Sequence, residues 1–317
     1  MRSKAYIFLL AILVSAVSFS EAQVLYKQNH SLNTALKVLK YDKDLKNAGI
    51  GFYAIDINTG EVLSKLNQDL SLTPASVQKL ITTATALETL GPGFKFKTTL
   101  QYTGNIDPQT KILNGDIIIK GGGDPTLGSK YFTATASHYF LDLWVKKITE
   151  AGIKYVDGKI IGDASLYGNA IVPATWSWED IGNYFGAGPC GLSIYDNMYT
   201  LWFNTGPNIG DSTYIIKIEP EIPGLIIENH VISDKVYSDR SYIFGAPYTY
   251  YRYINGELPL NRTDYKVKGS LPDPAYFTAY ELKKELKKYG VGSGEASTLR
   301  IEGNDYRIDT MKRNDLY

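Results

Sequence analysis

Leu72-Thr73-Pro74-Ala75-Ser76-Val77-Gln78-Lys79, followed by an apolar run to Leu90, sets a hydroxyl and an amine three residues apart at a helix start. That spacing brings both side chains onto one helix face, a turn apart. Thr73 suits the N-cap, and Pro74 suits the first helical position, where its missing N–H costs nothing. The periodicity predicts Leu80, Ile81, Ala84 and Leu87 as a buried face, with Gly91-Pro92 as the stop. Ser76 is expected in the first turn, where unpaired N–H groups favour developing negative charge. A serine is a weak nucleophile unless a neighbour removes its proton, and Lys79 is spaced to do so. Ser-x-x-Lys occurs once in the chain and is a weak signal alone, because an ordinary exposed helix start has the same pattern.

Working outward, 317 residues can bury a large core and suggest about two domains. Lys+Arg and Asp+Glu are equal at 33 each, which gives no case for a nucleic-acid partner. Tyrosine dominates the aromatics, with 25 residues, and Gly and Asn recur, as in proteins with many short strands and turns. Arg2 and Lys4 followed by the apolar run Ala5 to Phe19 read as a signal peptide over residues 1–22. Ser20-Glu21-Ala22 offers small residues at the cleavage positions, with the cut before Gln23. The run is short for a spanning helix. No Cys follows the cut, so lipid anchoring is not expected. The single Cys190 excludes an internal disulfide, and a bacterial periplasm fits best.

Ser31 to Asp44 reads as an amphipathic helix, and Gly51–Ile57 and Glu61–Leu66 as a hairpin turning at Asn58-Thr59-Gly60. From about Thr98 the chain changes to strands and turns: Asp116–Lys120, Lys159–Asp163, Thr200–Asn204, Tyr214–Ile218 and Val236–Tyr253. One helix interrupts, capped by Ser137, lined by Phe140, Leu141, Trp144, Val145 and Ile148, and closed by Gly152. Asp273 and Pro274 then open a helix whose stripe is Ala275, Ala279, Leu282, Leu286 and Tyr289, with Lys283-Lys284 and Lys287-Lys288 on a solvated face. Leu299 to Ile308 reads as the beginning of a further element.

Other motifs carry less. Gly123 to Lys130 nearly matches a phosphate loop, but Ser129 precedes Lys130 in the wrong order and Pro125 removes an N–H. His30, His138 and His230 lack partners at metal-ligand spacing, and no nucleophile elbow is present. Trp176 and Trp178 beside Glu179-Asp180 could face a sugar chain; core packing is the better expectation for both tryptophans.

Four stretches together resemble the penicillin-binding D-alanyl-D-alanine carboxypeptidase/endopeptidases of the peptidase S13 family. They are Pro74 to Lys79, Gly121-Gly122-Gly123-Asp124-Pro125, Asp180 to Gly188 leading to Leu192-Ser193, and Ser270-Leu271-Pro272-Asp273-Pro274. The resemblance covers Val24 to the end. It implies an α+β fold: the N-terminal part of a split penicillin-binding/serine β-lactamase-like α/β hydrolase domain, carrying mostly-β inserted domains. Residues 23–97 would be the first part of the hydrolase, 98–269 the insertion, and 270–317 an incomplete return. The implied nucleophile is Ser76 and the implied general base Lys79, acting on D-Ala-D-Ala stem peptides of peptidoglycan and acylated by β-lactams. The resemblance implies no metal, no other cofactor and no nucleic acid.

The chain departs from the family pattern in one respect. Ser-x-Asn and Lys-Thr-Gly should follow the returning helix, and neither does. Ser31-Leu32-Asn33 precedes the nucleophile and reads as a helix cap, and Lys268-Gly269-Ser270 is a poor echo of the second motif. Two expectations follow. The favoured one is a C-terminally shortened piece of a working hydrolase with little turnover of its own. The alternative is a non-catalytic cell-wall binding or structural protein.

Overall fold

The computed structural model describes residues 31–136, 138–168, 170–299 and 312–317. The segment read as a signal peptide, His30, Ser137 and most of the element expected at Leu299–Ile308 lie outside them. Backbone contacts divide the chain at Phe94/Lys95 into two units.

The first unit holds helix α1 (31–40), strands β1 (Phe52–Ile55) and β2 (Val62–Leu66), and helix α2 (Gln78–Leu90). The hairpin forms as expected, with Phe52 opposite Leu66. Its turn is held by Asp56, whose Oδ1 accepts from the Asn58 and Thr59 N–H groups at 2.8 and 3.0 Å. Those two bonds hold the exposed Asp56 carboxyl below the usual carboxylate range. Ser64 Oγ donates to Asn33 Oδ1 at 2.7 Å, which ties β2 to α1.

In chain order the second unit has β3 (Thr99–Tyr102), β4 (Asn105–Ile106), β5 (Ile112–Asn114), β6 (Ile117–Lys120), α3 (Tyr139–Glu150), β7 (Tyr155–Val156) and β8 (Ile160–Asp163). There follow α4 (Trp178–Ile181), β9 (Met198–Asn204), β10 (Tyr214–Glu219), β11 (Ile226–Asp234), β12 (Tyr242–Phe244), β13 (Tyr251–Pro259) and β14 (Tyr265–Ser270). The unit closes with α5 (Pro274–Lys288), β15 (Gly292–Ser293), β16 (Ala296–Leu299) and β17 (Asn314–Asp315). The strands form sheets in the orders β16-β8-β6-β3-β17, β15-β7-β5-β4, β10-β9-β14 and β11-β13-β12.

The core of this unit is apolar at the positions that periodicity predicts. Ile117, Ile118 and Ile119 of β6 are fully buried, as a strand covered on both faces requires. Phe140, Leu141, Trp144, Val145 and Ile148 of α3 are buried, matching the expected stripe. So are Ala275, Ala279, Leu282 and Leu286 of α5, whereas Tyr289 is exposed. α5 packs against β8, β16 and α3. At Gly162 the β8 backbone passes so close to Ala275 that a Cβ would overlap the Ala275 carbonyl. Over residues 274–299 the chain packs with the rest of the second unit. The physical reason is the α5 stripe itself, which finds its apolar partner on β8 and β16.

Strand bounds between residues 219 and 270 differ most from expectation. β11 and β14 were not foreseen, and Val236–Tyr253 is two strands with a turn between them. β11 pairs with β13 in parallel over nine residues, a partnership between distant segments that local periodicity does not report. Lys268-Gly269-Ser270 stands on β14, opposite Thr200, Tyr199 and Met198 of β9.

The α5 start behaves as its sequence predicts. Asp273 Oδ1 accepts from the Tyr276 N–H at 3.0 Å, and Pro274 occupies the first turn. Asp273→Ala is expected to lower stability by about 1 kcal/mol, read as a lower urea midpoint with an unchanged slope.

Candidate active site

Thr73 and Pro74 do not cap α2 as their residue types suggest. The chain makes a short 3₁₀ turn, Ala75–Val77, before the α-helix begins at Gln78, and no side chain caps either start. Ala75 has φ +45°, in the left-handed region where an L residue costs about 1–2 kcal/mol. This strained residue immediately precedes Ser76. It redirects the chain so that Ser76 sits in the 3₁₀ turn and Lys79 in the first α-helical turn.

The two side chains meet: Lys79 Nζ donates to Ser76 Oγ at 2.9 Å. Both residues are exposed. In the following turn two threonines bond back to the helix carbonyls. Thr83 Oγ1 donates to the Lys79 carbonyl at 2.7 Å, and Thr82 Oγ1 to the Gln78 carbonyl at 3.2 Å. A hydroxyl within hydrogen-bond reach of an amine is the arrangement that nucleophilic catalysis needs, since the free amine can take the proton as the oxygen attacks.

The expected buried face of α2 is not buried. Leu80, Ile81 and Leu87 are 69, 63 and 59 % exposed. An apolar helix stripe is covered only where a second layer packs on it, and the described residues supply no such layer here.

The other stretches singled out in the sequence lie in the second unit and there serve packing. A Cβ on Gly121 would overlap the Gly191 carbonyl, and the Gly123 N–H donates to that same carbonyl at 2.8 Å. In the adjoining loop Asp124 Oδ1 accepts from the Thr126 N–H and hydroxyl. Ser129 is fully buried while Lys130 is exposed, so hydroxyl and amine do not converge on a phosphate.

The Asp180–Gly188 stretch pins α4 to β12. Asn183 donates to the Glu179 carbonyl at 2.6 Å and accepts from the Ile243 N–H at 3.0 Å. Buried Ser193 accepts from Asn197 at 3.1 Å. Trp178 is 56 % and Trp176 37 % exposed, against the expectation of core packing. Each sits where a short helix meets loop, with no sheet over it.

His138 Nδ1 lies 2.6 Å from the Tyr195 hydroxyl, and His230 Nε2 2.6 Å from Glu228 Oε1. Among the described residues no three His, Cys, Asp or Glu side chains group as metal ligands. No helix among them is long and apolar enough to cross a membrane. Buried Tyr199 has its phenol pushed up to about 12, chiefly by loss of water around it.

With this geometry in hand, comparison with known proteins is direct. The model of the D-Ala-D-Ala carboxypeptidase 3 (S13) family matches residues 32–299, and the chain belongs to that family. It is 27% identical over 208 residues to the D-alanyl-D-alanine carboxypeptidase DacB of Haemophilus influenzae, covering 65% of this chain and 40% of that one. With the D-alanyl-D-alanine carboxypeptidase of an Actinomadura species it shares 24% identity over 258 residues, 79% of this chain and 45% of the other.

Among solved structures, penicillin binding protein 4 (dacB) from Haemophilus influenzae superposes with a TM-score of 0.60 at 21% identity, over 78% of this chain and 52% of that one. A second structure of that protein, complexed with a novel β-lactam, gives 0.59 at 20% identity, over 84% and 54%. The mixed α+β fold is therefore that of penicillin-binding proteins. The chain spans about half the length of the relatives it matches.

Proposed function

We propose that this protein is a serine-type D-Ala-D-Ala carboxypeptidase, with Ser76 as nucleophile and Lys79 as general base. The observation that carries the reading is the 2.9 Å hydrogen bond between Lys79 Nζ and Ser76 Oγ, in a chain of the S13 family. Ser76 Oγ attacks the carbonyl carbon of the penultimate D-alanine as its proton passes to the Lys79 amine. The tetrahedral adduct collapses, the C–N bond breaks, and the departing amine takes the proton from Lys79. Water then hydrolyses the Ser76 ester, which releases the shortened peptide and regenerates the hydroxyl. Endopeptidase action is the same chemistry with the amine of a cross-linking residue leaving in place of D-alanine. β-Lactams acylate the same oxygen by ring opening.

In this reading residues 23–97 supply the nucleophile-bearing part of a split hydrolase domain, residues 98–269 form the mostly-β insertion, and residues 270–317 begin the return to the hydrolase. Residues 1–22 direct export to the periplasm. Ser-x-Asn after the nucleophile and Lys-Thr-Gly are not among these 317 residues, so acyl-enzyme formation and turnover are expected to be slow. Removing one oxyanion donor alone typically costs about 10²–10³ in rate.

The test is mass spectrometry of the protein after incubation with benzylpenicillin, joined to an assay of D-alanine released from a D-Ala-D-Ala-terminated peptide. The expected result is a penicilloyl adduct on the peptide containing Ser76, with slow D-alanine release. An adduct on another residue, or no adduct on prolonged incubation, overturns the assignment and favours a non-catalytic wall-binding role.

A further inference from the structure

An open cleft of about 610 Å³ in the second unit lies well apart in the sequence from Ser76 and is lined by Tyr184, Asp239, Arg240, Tyr242, Glu257 and Lys268, among others. Its rings are presented to solvent: Tyr184 is 51 % and Tyr242 42 % exposed. Lys268 Nζ stands 5.8 Å from the centre of the Tyr184 ring. From Tyr242 a row of rings continues across the outer face of the β11-β13-β12 sheet. Tyr242 to Phe244 is 6.4 Å between centroids, Phe244 to Tyr253 is 6.0 Å, and Tyr253 to His230 is 4.9 Å. Glu228 ends the row, 2.6 Å from His230.

The register explains the row. Phe244, Tyr253 and Glu228 stand at one level across the three strands, and Tyr242, Asn255 and His230 at the level two residues along, so all point to one face.

We propose that the cleft and this row bind the glycan strand of the cell wall. A pyranose ring offers a flat C–H face that packs on an aromatic ring, and hydroxyls around its rim that need both donors and acceptors. The row supplies the faces. Asp239 and Glu257 supply acceptors, and Arg240 and Lys268 supply donors.

Charge selects against other polymers. Two carboxylates and two cations line the cleft, so it attracts neither a polyanion nor a polycation. Peptide addition to the β12 edge is blocked, because the Ile243 N–H is already taken by Asn183 Oδ1 at 3.0 Å. The choice of polymer rests on the cell-wall reading above; the ring geometry does not.

The test uses the full chain and purified cell wall freed of stem peptides by an amidase, in a co-sedimentation titration. Saturable binding is expected, weakened at least tenfold by Tyr242→Ala and by Tyr253→Ala. Tyr237→Ala, at a fully exposed tyrosine outside the cleft and row, is expected to bind as the parent does. Circular dichroism melting verifies that each variant is folded. Absence of saturable binding overturns the proposal, as does binding that requires intact stem peptides or that survives both ring substitutions unchanged. Penicillin labelling of Ser76, measured on the same samples, succeeds or fails independently and so separates failure of this proposal from failure of the catalytic one.

Discussion

Replacing Ser76 with alanine is expected to lower covalent incorporation of benzylpenicillin by about 10³-fold or more, because among the described residues of the unit no other hydroxyl is held beside a lysine amine in this way. The hydroxyl is exposed and bears no buried packing, so the variant should keep the parent's thermal unfolding curve. A loss of labelling with unchanged folding isolates the chemistry. The readout is the intact-protein mass shift, followed by mapping of the modified peptide. If Ser76→Ala took up β-lactam at the parent rate, the nucleophile would have to be sought elsewhere, and the 2.9 Å contact would be only a surface hydrogen bond.

The second large effect is expected at Lys79. With Lys79→Ala the serine keeps its place but loses the amine that would accept its proton, and labelling should slow by about 10²–10⁴-fold. Lys79→Arg discriminates between two roles for the amine. A guanidinium preserves the positive charge but is effectively never deprotonated, so it cannot act as a base. If Lys79 serves as the base, arginine fails as alanine does. If it only contributes positive charge, arginine restores most of the rate. Single-turnover acylation rates for the three proteins decide between them.

Much of the site was legible because it is local. Ser76 and Lys79 lie three residues apart, and helical geometry at that spacing brings the side chains together whatever surrounds them. The start of α5 was legible for the same reason: Asp273 and Pro274 act on N–H groups within one turn of themselves. The left-handed Ala75 was not legible. Its residue type carries no signal for positive φ, and Thr73-Pro74 suggested a regular cap instead. The exposure of Leu80, Ile81 and Leu87 was equally hidden, since an amphipathic pattern states which face is apolar but not whether anything covers it.

The same division runs through the rest of the chain. By itself the sequence determined the apolar stripe of α3, that of α5 apart from Tyr289, the hairpin, the four family stretches and the one-turn spacing of Ser76 and Lys79. Each depends on chemistry within a few residues. Only the tertiary structure decided that α5 packs on β8 and β16, that β11 runs parallel to β13, and that Asn183 locks the edge of β12. It likewise decided that Tyr242, Phe244, Tyr253 and His230 form one row. These are pairings between segments far apart in the chain, selected by where apolar faces and backbone hydrogen bonds find partners, and no local pattern encodes them.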